Sequence, residues 1–65
     1  MPSSVIRSFR YDPGARRLHV TFVSGRRYAY LDVPAELAEE MRLAVSKGTF
    51  FNRRIKVRFE YSPES

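Results

Sequence analysis

The sequence predicts an α+β domain: an antiparallel β-sheet in the order β-β-β-α-β, with one helix packed on one face. Three observations carry this: period-two alternation from Leu18 to Tyr30 interrupted at Ser24-Gly25, a change of period after Leu31, and renewed alternation from Arg54 to Tyr61. At 65 residues the chain forms a single domain, residues 1–65, with an ordered core over about residues 4–61. A chain this short buries only about 60% of its unfolded surface, so its stability is modest.

Val5 to Tyr11 forms the first strand. Phe9 and Tyr11 face the core, and a bulge near Arg7 or Ser8 brings Ile6, of opposite parity, to the same side. Asp12-Pro13-Gly14 reverses the chain, with Pro presetting φ and Gly offering the left-handed region. Arg16 and Arg17 lead into the hairpin, which makes the first three strands a meander.

Two registers are open for the hairpin. A two-residue Ser24-Gly25 loop pairs Val23 with Arg26, so that Tyr28 and Tyr30 share a face with His19, Thr21 and Arg26. A type I turn closed by a Gly bulge pairs Phe22 with Arg26 and Val20 with Tyr28, which turns both tyrosines into the core. The bulge suits Ser24 better, because Ser is comfortable in the right-handed region and poor in the left-handed one. Gly25 is left-handed in either case.

Asp32-Val33-Pro34 starts a helix, because Pro fits the first turn, where its missing N–H is not needed. Glu36, Glu39 and Glu40 put negative charge near the positive end of the helix dipole. Leu37, Met41, Ala44 and Val45 make an apolar stripe, and Lys47-Gly48 reads as a cationic last turn and a left-handed stop. The helix runs from about Pro34 to Ser46 on this reading. Thr49 to Asn52 then returns the chain across the helix end. From Arg54 to Tyr61 the residues alternate without a slip, so Ile55, Val57, Phe59 and Tyr61 face the core and Arg54, Lys56 and Arg58 line the other side. The tail Ser62 to Ser65 frays. The expected core is Leu18, Val20, Phe22, Leu37, Met41, Val45, Ile55, Val57 and Phe59, with Phe9, Tyr28 and Phe51 close behind.

Twelve Lys and Arg against seven Asp and Glu give a net charge of +5. The stretch from Asp32 to Arg42 holds four acids and one base, which leaves eleven bases against three acids elsewhere. A field of that sign draws in nucleic acid or other anionic surfaces, and solvated arginines also keep a small open sheet soluble. Without cysteine, neither disulfides nor thiolate metal sites hold the fold, and the composition suits the cytoplasm. No apolar run approaches the ~20 residues of a membrane span.

The residues Tyr11-Asp12, Leu18-x-Val20-x-Phe22-x-x-Gly25-x-x-Tyr28-x-Tyr30, Val33-Pro34 and Ser46-x-Gly48-x-x-Phe51-Asn52-x-x-Ile55 span nearly the whole chain. In this pattern the chain resembles the KTSC domain family, small bacterial domains that occur alone and at the C-terminus of some lysyl-tRNA synthetases. The resemblance marks Tyr28, Tyr30, Gly48, Phe51 and Asn52 as family motif residues. It implies a link to RNA through the synthetase context and offers no catalytic residues to carry over.

Catalytic chemistry finds little footing. His19 is the single histidine, no thiol accompanies it, and no nucleophile-elbow spacing surrounds the serines. Glu36, Glu39 and Glu40 read as a solvated helix face, and the three glycines are each explained by a turn or cap. No catalytic residue, metal site, cofactor or small-molecule substrate is expected. Nucleic-acid binding has the better case: on a strand Arg54, Lys56 and Arg58 present cations about 6.5 to 7 Å apart, near the spacing of phosphates in an extended single strand. Arg53, Arg26 and Arg27 extend that stripe, giving a tRNA-like or single-stranded RNA as partner. The other expectation is a protein-docking or self-associating module with an acidic partner, using the last strand as a sheet edge.

Overall fold

Alternation puts Phe9, Leu18, Val20 and Tyr30 on one side of a four-stranded antiparallel sheet, and the core lies on that side. The structure, a computed structural model, describes residues 6–64, so the Val5 start of the first strand lies outside the described residues. The strands are β1 (Ile6–Asp12), β2 (Arg17–Phe22), β3 (Arg27–Tyr30) and β4 (Tyr61–Pro63), hydrogen-bonded in the order β1-β2-β3-β4. Between β3 and β4 come α1 (Ala35–Leu43), α2 (Lys47–Phe50) and a π-helical turn, Phe51–Ile55. The fold is α+β with an antiparallel sheet, as the sequence predicts. Its helical layer holds two helices where the sequence predicts one.

β1 carries the expected bulge: Ile6 pairs with Phe22 but Ser8 with Thr21, so the extra residue Arg7 returns Ile6 to the core side. In the turn after β1, Asp12 Oδ1 accepts from the N–H groups of Gly14 (3.1 Å) and Ala15 (3.3 Å). The left-handed residue of that turn is Arg16 (φ 56), not the Gly14 the sequence suggests. Its carbonyl accepts from the Val33 N–H at 2.9 Å, which ties the turn to the start of the helical layer.

The hairpin takes the bulged register. The Phe22 N–H bonds the Arg26 carbonyl, Val20 pairs with Tyr28, and Gly25 sits at φ 97. Tyr28 and Tyr30 therefore turn toward the core, where Tyr30 is buried and Tyr28 half-buried.

α1 starts where Pro34 places it but stops at Leu43, three residues before the Ser46 expected. The chain is extended at Ala44 and Ser46, and Ser46 opens a new helix: its Oγ accepts from the Thr49 N–H (3.4 Å) and donates to Thr49 Oγ1 (3.0 Å). Val45 is thereby left in the connection, fully exposed rather than in the core. Gly48, read as a left-handed stop, lies inside α2 and is buried.

The continuous strand expected from Arg54 to Tyr61 is not formed. Phe51, Ile55 and Phe59 recur every fourth residue, which is helical spacing, and Phe51 and Ile55 are fully buried. The Lys56 N–H reaches the Phe51 carbonyl at 2.8 Å, closing the wide turn, and Phe59 N–H bonds Ile55. Val57, between those positions, is 74% exposed. Tyr61, also expected in the core, is half exposed at the start of β4. The tail expected to fray is paired instead: Ser62 lies opposite Ala29, Pro63 opposite Tyr28, and Glu64 N–H bonds the Arg27 carbonyl at 2.8 Å. Pro63 is tolerated because β4 is an edge strand.

Candidate nucleic-acid interface

The family-motif aromatics build the core rather than a surface. Phe51, Phe22, Tyr28, Tyr61 and Tyr30 form a closed circuit of rings with successive centroids 5.6, 5.5, 5.0, 5.4 and 5.1 Å apart, four of the five contacts edge-to-face. Burial, then the neighbouring phenols of Tyr61 and Tyr28, pushes the Tyr30 phenol above its ordinary value. Tyr30 is therefore a neutral packing residue. Tyr61 is the ring of this circuit most open to solvent, and the sequence places it in the core. Asn52, half-buried in the π turn, and Gly48 complete the motif positions on the helical layer.

The six basic residues named from sequence divide between the two layers. Arg53, Arg54, Lys56 and Arg58 lie in the π turn and the turns after it, so they fan around a helical path and make no stripe at strand spacing. Arg54 is occupied: its guanidinium is 3.4 Å from Glu40 and its Cζ lies 5.2 Å from the Phe50 ring centroid. Arg53, Lys56 and Arg58 are exposed and make no ion pair among the described residues. Arg26 and Arg27 are exposed at the hairpin, and alternation points them to opposite sides of the sheet.

Arg27 belongs to a surface that sequence reasoning missed. Residues of the other parity make up the open side of the sheet: Ser8, Thr21 and Arg27 in one cross-strand row, Arg10, His19, Ala29 and Ser62 in the next, Asp12 and Arg17 in a third. None of these residues belongs to the core cluster that the helices cover. Arg10, Arg17 and Arg27 are exposed and make no ion pair among the described residues. At the centre His19 Nδ1 donates to Glu64 Oε2 at 2.7 Å. The signal was available: with Phe9 and Leu18 assigned to the core, strand parity alone sends Arg10, Arg17 and His19 to the other face.

All twelve Lys and Arg side chains are exposed, and only Arg42, bonded to Glu39, and Arg54 make ion pairs among the described residues. Arg42 also holds the Glu39 carboxyl below its usual range, through hydrogen bonding more than charge. The described residues form no pocket, and no group of three His, Cys, Asp or Glu among them is placed to hold a metal. No helix among them is long and apolar enough to cross a membrane.

Comparison with known proteins agrees with this architecture. The KTSC domain family matches residues 2–59. A lysine–tRNA ligase of Nostoc sp. is 41% identical over 58 residues, which is 89% of this chain but only 10% of the ligase. The chain thus spans about a tenth of the length of that relative. A protein of Tsukamurella paurometabola is 39% identical over 57 residues, covering 88% of this chain and 85% of its own. In three dimensions the chain is similar to the crystal structure of a KTSC domain protein from Yersinia pestis, with a TM-score of 0.91 and 38% identity, covering 100% of this chain and 92% of that one.

Proposed function

The chain belongs to the KTSC domain family, and from that premise we propose that it is a small non-catalytic domain that binds RNA through its arginine and lysine surface. The observation that carries this reading is the state of the cations. Ten of the twelve are exposed without an ion pair among the described residues, while Glu36, Glu39 and Glu40 cluster on α1. Cations left without an ion pair in this way are free to neutralise phosphates. A region similar to this chain inside a lysine–tRNA ligase gives RNA priority over other polyanions.

Binding of this kind is tolerant of sequence and sensitive to salt. Log affinity falls by about 0.7 to 0.9 per contacted phosphate for each tenfold rise in salt, so three or four contacts give a slope of about −2 to −4. Fluorescence anisotropy of a labelled mixed tRNA pool, across a salt series, measures that slope. No binding at low salt, or binding indifferent to salt, contradicts the reading.

A further inference from the structure

We infer that the RNA backbone lies on the open face of the sheet, against Arg10, Arg17 and Arg27, and that Glu64 occupies this face in the free chain as an internal carboxylate. The inference rests on the RNA reading above and names its surface. Arg17 stands opposite Asp12, two residues along from Arg10, so Arg10 and Arg17 are diagonal neighbours. Arg27 stands opposite Thr21, two residues along from His19 on the next strand. The separation from Arg17 to Arg27 is about 14 Å across the pleat, enough for two to three nucleotides of an extended strand.

This face does nothing for the core. Apart from Ala29, the buried side chains of the sheet lie on its other side, and no side chain of Arg10, Arg17 or Arg27 hydrogen-bonds another group among the described residues. Two carboxylates already sit there: Asp12, turned onto the Gly14 and Ala15 N–H groups of its own turn, and Glu64. Glu64 is anchored beside β3 by its N–H on the Arg27 carbonyl, and its side chain reaches His19 on β2. Ala29, opposite His19 on β3, is only 3% exposed, so the face is covered at that point. A carboxylate held on a plane of unpaired arginines is what a phosphate must displace. A single hydrogen bond partly open to solvent contributes little, so the displacement is easy and its effect on affinity small.

The test compares variants of the full chain by anisotropy on the mixed tRNA pool at low salt, each checked by its amide NMR spectrum for retained fold. Arg10→Gln with Arg27→Gln lowers affinity by about tenfold or more and makes the salt slope about two less steep. Glu64→Gln raises affinity by about twofold to fivefold. If the loss follows Arg53→Gln with Lys56→Gln and Arg58→Gln instead, the sheet-face assignment is overturned while the RNA reading stands. Unchanged or weaker binding by Glu64→Gln overturns the role of the carboxylate. Absence of binding by the unmodified chain overturns the RNA reading and this inference with it. A polyglutamate peptide that binds more tightly than tRNA overturns RNA in favour of an acidic protein partner.

Discussion

The open face of the sheet and the segment from Phe51 to Arg58 are both basic, but they come by their charge differently. On the segment, the cations are what remains after Phe51 and Ile55 have turned into the core. A helical path spreads them around its axis, and Arg54 is already engaged by Glu40 and Phe50. On the sheet, strand geometry holds Arg10, Arg17 and Arg27 on one plane, with their backbones fixed by ladder hydrogen bonds. Counting cations along a sequence is therefore a poor guide to a binding surface. What matters is whether the element carrying them points them the same way and leaves them unpaired.

The largest effect is expected where the segment meets the core. Ile55→Ala removes a fully buried side chain and costs about 2 to 5 kcal/mol, whereas Val57→Ala, two residues on, stays within about 0.5 kcal/mol. Urea unfolding of the two variants measures this, and equal losses would restore a strand in place of the helical turn. A smaller effect sharpens the boundary of the segment. Ser46→Ala loses the side chain that caps α2 and costs about 1 kcal/mol by the same measurement, with the sheet unaffected. The smallest effect belongs to the open face. Glu64→Gln shifts stability by less than about 1 kcal/mol, because the His19–Glu64 bond lies at the surface and is partly screened. A stability loss well above that would make Glu64 a structural clasp and not a displaceable anion.

The meander was legible because local chemistry and global packing agree there. Arg7 supplies the bulge that the parity of Ile6 and Phe9 demands, and Ser24-Gly25 selects the register that buries Tyr30. The chain after Leu43 was illegible because two periods fit it. Ile55, Val57, Phe59 and Tyr61 alternate like a strand, while Phe51, Ile55 and Phe59 repeat like a helix, and only burial of Phe51 against Phe22 and Tyr30 decides between them. Ser46 was read as the end of one helix because Lys47-Gly48 resembles a stop; its spacing from Thr49 marks the start of the next. Of the candidate site, the hairpin arginines were named from sequence. Arg10 and Arg17 were passed over because they are scattered along the chain, and cross-strand register alone makes them neighbours.

An amide-shift map of the chain titrated with mixed tRNA at low and near-physiological salt tells the two basic surfaces apart. Placement of the RNA on the open face predicts shifts at Arg10, Arg17, His19, Arg27 and Glu64 that weaken steeply as salt rises, with residues 53–58 little changed. Shifts confined to residues 53–58, with the open face silent, would contradict it.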